Sequence, residues 1–125
     1  MLRLLIPLLL LAGSLQGQSL RFFPGEQAVA ESHAEASFRV ASEGGAVRMV
    51  FSAASSMVGG ELSFDIYRLV SNKEQYHATV KAKVSNNKLA EKEVWFYEPG
   101  RYRVYVFDEQ DRQLTKAEFT VRKGS

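Results

Sequence analysis

The stretch that decides the fold of this chain reads Tyr76-His-Ala-Thr-Val-Lys-Ala-Lys-Val84. Apolar or small residues alternate in it with polar residues, and a period of two is typical of a β-strand that buries one face. The inward residues are predicted to be Tyr76, Ala78, Val80, Ala82 and Val84, and the outward ones His77, Thr79, Lys81 and Lys83. The stretch therefore predicts a strand of a sheet that packs one face against a hydrophobic core.

The same alternation recurs in three other segments. Their inward residues are predicted to be Leu62, Phe64 and Ile66, then Tyr102, Val104 and Val106, and finally Ala117, Phe119 and Val121. Turn-forming residues separate the segments, at residues 85–87, 99–100 and 108–112. About seven or eight short strands without a convincing helix predict an all-β protein, folded as an antiparallel β-sandwich.

The front part of the chain is less regular. Gly44-Gly45 is predicted to join a short strand around Phe38 to a second strand over residues 46–51, as the turn of a β-hairpin. Residues 21–29 contain Pro24, which suits an edge strand because a missing amide donor is tolerated there. Two segments remain: residues 26–36, which can form a short helical turn, and residues 52–60, which are predicted to form a loop.

The first 17 residues predict export. Arg3 supplies a positive charge, residues 4–12 form an apolar run, and residues 13–19 are small or polar and suit cleavage after Gly17. The apolar run is shorter than the roughly 20 residues of a permanent membrane span. We therefore expect a cleavable signal peptide over residues 1–17, one domain over residues 18–125, a soluble product, and a location in the periplasm or outside the cell.

Charge and cysteine content exclude several classes of protein to which the chain could belong. The 16 Lys and Arg residues nearly balance the 14 Asp and Glu residues, so we expect neither nucleic acid nor an anionic membrane as a partner. The chain has no cysteine, which excludes disulfides, thiolate chemistry and Cys-based metal sites. An exported domain with neither a disulfide nor an Asn-x-Ser/Thr sequon favours a bacterial envelope protein.

Residues 96–121 carry a resemblance to a known superfamily. They contain Pro99-Gly100, alternating inward residues from Tyr102, a charged turn, and then Phe119 and Val121. This segment resembles the last two strands of an immunoglobulin-like or fibronectin type III-like domain, where a tyrosine at the place of Tyr102 folds its hydroxyl back to the backbone. The chain differs from the antibody type of this domain, because it has no cysteine pair and no Trp at the centre of residues 62–69. The resemblance implies a bacterial immunoglobulin-like module and leaves the function open.

Three aromatic residues take outward positions on two strands that the resemblance makes neighbours, and these are Tyr67, Tyr105 and Phe107. They are predicted to form an aromatic patch bordered by Arg103. Aromatic surfaces rimmed with charge commonly bind proteins or sugars. The alternative is that Phe22-Phe23 of the N-terminal segment cover these rings, or that the rings only pair across strands.

A non-catalytic module for protein–protein interaction or assembly in the bacterial cell envelope is the function that these features favour. No serine-hydrolase, zinc-protease, Walker or dinucleotide motif occurs, so we expect neither an enzyme nor a cofactor. The expected partner is an envelope or extracellular protein, bound by the aromatic face or by strand pairing at an exposed sheet edge. The alternative is a carbohydrate-binding module in which Tyr67, Tyr105, Trp95 or Tyr97 stack on sugar rings.

Val94 and Phe96 are predicted to be core residues, which leaves Trp95 and Tyr97 on the opposite face of their strand.

A weak metal motif lies near the front of the chain. Glu31, His33 and Glu35 alternate, so on an extended strand they would share one face. A structural metal site normally needs a fourth ligand and a fixed backbone, so we expect a solvated surface segment and no bound metal. His77 has no nucleophile or carboxylate partner in a recognisable motif and is predicted to be exposed.

Overall fold

The computed structural model describes residues 19–31, 36–53, 60–85 and 88–124. These parts contain nine β-strands and no helix. The strands are β1 Ser19–Pro24, β2 Ala28–Ala30, β3 Ser37–Val40, β4 Gly45–Ser52, β5 Glu61–Val70, β6 Lys73–Lys83, β7 Leu89–Phe96, β8 Gly100–Phe107 and β9 Gln113–Lys123. The predicted leader over residues 1–17 and most of the predicted loop over residues 52–60 lie outside the described residues.

The strands form two sheets that pack face to face. One sheet has three strands in the order β1-β4-β7, and the other has six in the order β2-β3-β9-β8-β5-β6. Neighbouring strands are antiparallel except β3 and β9, which are parallel. The prediction of an all-β sandwich is confirmed. No helix in the described ranges is long and apolar enough to cross a membrane.

The core lies between the sheets and is rich in aromatic rings. Alternate residues of β4, β5, β8 and β9 point inward, because a period of two sends every second side chain to the same face. Phe96 of β7 contacts Tyr102 of β8 with ring centroids 4.7 Å apart, and Phe119 of β9 stacks on Tyr102 at 5.5 Å. Burial of these rings supplies the hydrophobic stabilisation that a cysteine-free domain needs.

For the first residues of β6, the predicted direction of the side chains is wrong. The register pairs Ile66 with Ala78 but Tyr67 with Tyr76, so His77 is an extra residue in β6 and forms a β-bulge. The extra residue reverses the direction of the side chains before it. Tyr76, predicted to be inward, is 63% exposed. His77 is exposed, as predicted, although one side of its ring stacks on the core ring of Phe96.

The predicted hairpin at Gly44-Gly45 is also wrong. The strands on either side of it, β3 and β4, belong to different sheets, and only an isolated bridge between Ala41 and Gly44 links the two sides of the turn. The turn therefore carries the chain from one sheet to the other. Gly44 has a φ of 104°, and a Cβ there would collide with the indole of Trp95, so both backbone and space require glycine.

The N-terminal strand also changes sheets. Residues 21–29, predicted as one edge strand, divide into β1 on the small sheet and β2 on the large sheet. The turn between them is fixed to β4, because Gly25 N–H donates to the Ala46 carbonyl and Ala46 N–H donates to the Glu26 carbonyl. A short helical turn was predicted over residues 26–36. The described part of this segment forms the turn after β1 and then β2, and it contains no helix.

Candidate functional site

A row of three tyrosines crosses the outer face of the six-stranded sheet. Tyr76 on β6, Tyr67 on β5 and Tyr105 on β8 are brought together by the register of these strands. The Tyr67 ring lies edge-on to both neighbours, with centroids 5.8 Å from Tyr76 and 5.6 Å from Tyr105. Edge-on packing is a favourable geometry for aromatic pairs, so the row is a stable cross-strand ladder.

Two rings of the predicted aromatic patch are not available to a partner. Tyr105 is 5% exposed and Phe107 is 2% exposed. Tyr105 is enclosed because it packs between Tyr67 and Phe107 and its hydroxyl donates to the carboxylate of Glu74. The exposed end of the row is Tyr76, which the sequence placed in the core.

Phe22 and Phe23 of the N-terminal segment do not cover this face. Phe22 packs into the core against Phe119 at 4.7 Å between ring centroids. Phe23 lies on the outer face of the small sheet, where the guanidinium of Arg48 stacks over its ring at 5.4 Å. The rings are therefore covered by packing across strands and not by Phe22 and Phe23.

A network of four charges flanks the tyrosine row. Arg103, half-buried on β8, binds Glu74 of β6 at 2.8 Å and Glu118 of β9 at 2.7 Å, while Arg101 also binds Glu118 at 2.7 Å. Hydrogen bonds from Arg101 and Arg103 lower the pKa of Glu118. Burial, aided by the hydrogen bond to Glu74, raises the pKa of Tyr105 to about 12. Arg103 is thus occupied within the sheet instead of being a free cation for a partner.

A short chain of hydroxyl groups fixes Tyr76 above the sheet. The Tyr76 hydroxyl donates to Thr79 Oγ1 over 2.8 Å, and Thr79 in turn donates to Asp65 Oδ1 over 3.0 Å. Asp65 is 5% exposed, so the chain ends on a buried carboxylate. These bonds hold the phenol over β6 while its ring stays in solvent.

The outer edge of β6 carries backbone groups that no other described strand pairs with. β6 pairs only with β5, and no backbone hydrogen bond joins β6 to β7 among the described residues. Val84 N–H donates to the Gly60 carbonyl, so in the alternating ladder the even residues before it face β5. Thr79, Lys81 and Lys83 therefore present their N–H and C=O groups at the open edge.

The second aromatic pair lies on the outer face of the small sheet. Val94 packs against the core and Phe96 is fully buried, as predicted, which leaves Trp95 and Tyr97 on the outside. The Trp95 indole donates to the Glu43 carbonyl over 3.4 Å and is half-buried. Tyr97 is 64% exposed, but its ring is tilted by 55° from that of Trp95, so the two do not make a flat platform.

A polar cluster closes one end of the sandwich. The hydroxyl of Tyr102 donates to the carbonyl of Glu98, four residues upstream, over 2.7 Å. Arg68 binds the carboxylate of Glu98 at 3.1 Å and donates to the Pro99 carbonyl at 2.7 Å. His77 lies against the Tyr102 ring, and burial followed by the positive charge of Arg68 lowers its pKa. The cluster fixes the turn between β7 and β8 and contains no nucleophile.

The metal motif is described only in part. Glu31 forms ion pairs with Arg39 at 3.4 Å and Arg122 at 3.6 Å, while His33 and Glu35 lie outside the described residues. No group of three His, Asp or Glu side chains in the described ranges is arranged to hold a metal ion.

Neither a protein-family model nor a curated protein sequence matches the chain. A function must therefore be argued from the surfaces above. Sequence reasoning missed Tyr76 because nothing in its regular alternation marks the bulge at His77. The sequence did contain a signal for the open edge. Lys81 and Lys83 lie on the outward face of one strand, and lysines are typical of edge strands.

Proposed function

We propose that the chain is a non-catalytic, exported immunoglobulin-like module that binds another protein of the bacterial cell envelope. The strand order supports the immunoglobulin-like assignment. In the lettering of that superfamily, β9-β8-β5-β6 would be strands G, F, C and C′, and β1-β4-β7 would be strands A, B and E. The parallel pairing of β3 with β9 lengthens the first of these sheets.

The observation that carries the binding proposal is the open edge of β6. This strand runs over 11 residues and lies at the end of its sheet, whereas β2 at the opposite end has only three residues. A long edge strand with unpaired backbone groups is the template on which proteins add a partner's strand. The proposed site is therefore the edge formed by Thr79, Lys81 and Lys83.

Tyr76 supplies an anchor beside this edge. Exposed tyrosines held by a hydrogen bond and a packed ring are frequent centres of binding energy, because little rotamer entropy is lost on binding. Tyr76 meets both conditions through Thr79 and Tyr67. A strand added to β6 would run past this ring.

Carbohydrate binding receives less support. Tyr97 is exposed, but the tilt of Trp95 and its bond to Glu43 remove the coplanar stacking surface that such modules use. Tyr105 is buried and is unavailable to a sugar. We therefore keep this function as the second candidate, favoured only by the exposure of Tyr97.

The proposal is tested with the full chain expressed in its own cell envelope. Lys81→Pro removes an N–H from the open edge without removing a bond to β5, so we expect the crosslinked partner complex to be lost while the melting temperature stays close to that of the wild type. Tyr97→Ala is the matched control on the other sheet and should retain the complex. Loss of the complex in Tyr97→Ala together with its retention in Lys81→Pro would transfer the site to the small sheet.

A further inference from the structure

The open edge of β6 is positively charged. Lys81 and Lys83 are both exposed, and their side chains lie on the outer face directly beside the free backbone groups. No described carboxylate lies within ion-pair distance of either lysine. Glu74, on the same strand, is already bound to Arg103. Glu61 lies opposite Lys83 on β5 but forms no ion pair with it, so two lysines without an ion pair border the groups that an added strand would bind.

We infer that the partner segment is an extended acidic strand, an inference that rests on the proposed function and specifies its partner. Its backbone would pair with Thr79, Lys81 and Lys83, and its carboxylates would lie on the outer face beside the two lysines. Opposite charges on neighbouring strands attract, whereas like charges directly opposite destabilise the pair. A basic edge thus selects acidic strands and rejects basic ones.

The sheet also predicts which kind of residue lies between the acidic residues of the partner segment. Val80 and Ala82 of β6 point to the core side, and Ala82 is 7% exposed. Every second side chain of an added strand would point to that same side. The expected segment therefore alternates acidic with apolar residues.

Edge lysines also occur in proteins as protection against strand pairing. The two roles make different predictions. An edge that is only protected binds no added strand, whereas a selective edge binds an acidic strand and rejects a basic one. A direct comparison of peptides of opposite charge separates them.

The experiment uses the purified chain and two fluorescently labelled peptides, one alternating Glu with Val and the other Lys with Val. Fluorescence anisotropy gives the affinities, and amide hydrogen exchange by NMR reports the pairing. We expect the Glu peptide to bind about tenfold or more tightly than the Lys peptide. Binding should slow amide exchange at Thr79, Lys81 and Lys83, and should weaken as salt screens the charges.

Charge reversal provides the control. Lys81→Glu with Lys83→Glu should reverse the preference between the peptides. Lys116→Glu on β9, an exposed lysine of the same face that is separated from β6 by two strands, should leave it unchanged. Equal binding of both peptides, or no binding of either, would overturn the acidic-strand inference. The proposed function would survive that result if Lys81→Pro still abolished capture of the envelope partner, and would fail with it if capture were unaffected.

Discussion

At the scale of single residues, Tyr102 shows how much a local motif can predict. The resemblance of residues 96–121 to immunoglobulin-like domains implied a hydroxyl folded back to the backbone, and the structure contains its hydrogen bond to the Glu98 carbonyl. This relation depends on residues close in sequence, so the sequence could supply it. The exposure of Tyr76 could not be predicted, because it depends on how β6 pairs with β5 across a bulge.

Tyr102→Phe should destabilise the fold. The substitution removes the hydroxyl that satisfies the Glu98 carbonyl while keeping the buried ring. We expect the free energy of unfolding to fall by about 1–3 kcal/mol. Chemical denaturation of both proteins measures the difference, and an unchanged midpoint would show that the hydroxyl contributes nothing to stability.

His77 should make stability depend on pH. Burial and Arg68 lower its pKa in the folded state, although Glu98 opposes this, so the unfolded chain binds the proton more tightly. This contribution is complete above the usual pKa of 6.5 and is lost as the pH falls below it through the lowered value of the folded state.

The His77→Phe variant isolates this effect because a phenyl ring keeps the stacking on Phe96 but does not titrate. Between about pH 7 and pH 5, the wild type should lose more melting temperature than the variant. Glu118, whose pKa is lowered by its hydrogen bonds to Arg101 and Arg103, titrates below this range and is common to both proteins. Parallel pH profiles of the two proteins would contradict the assignment.

At the scale of strands, alternation predicted the existence of most elements but not their partners. The strands around Phe38 and over residues 46–51 were recognised, yet the turn at Gly44-Gly45 joins two sheets instead of closing a hairpin. The same dipeptide suits both connections. In the connection that forms, Trp95 packs against Gly44 from a strand some 50 positions away, a contact that the dipeptide itself does not indicate.

Proline substitutions test which backbone groups of β6 are free. Lys81→Pro should cost less than about 1 kcal/mol of stability, since the lost N–H faces the open edge. Ala82→Pro, one residue further, removes an N–H that faces β5 and should cost at least about 2 kcal/mol. Thermal unfolding of the two variants measures this; equal costs, or a larger cost for Lys81→Pro, would refute the orientation of the edge.

At the scale of the whole molecule, ion pairs and ring packing decide how much of the outer face of the large sheet is exposed. On the outer face of the large sheet, Arg101 and Arg103 form ion pairs with Glu74 and Glu118, and Tyr105 and Phe107 are buried. The aromatic patch expected from sequence is therefore mostly internal packing. The sequence identified the residues of this face correctly as outward, but their burial arises from contacts among four strands.

Export is a prediction about the whole chain. Expression of the full sequence in a bacterial host should release a product whose N-terminus is residue 18, because residues 1–17 have the pattern of a cleavable leader. Mass spectrometry of the periplasmic fraction identifies that terminus. An uncleaved product confined to the cytoplasm would contradict the prediction.

The most direct test of the central claim is site-specific photocrosslinking in the native envelope. A photoreactive residue at position 81 of the β6 edge is compared with one at position 116 of β9, which lies on the same sheet but is separated from β6 by two strands. We predict a single protein adduct from position 81, attached within an acidic segment, and none from position 116. No adduct at position 81, or the same adducts from both positions, would contradict an interaction module that binds through this edge.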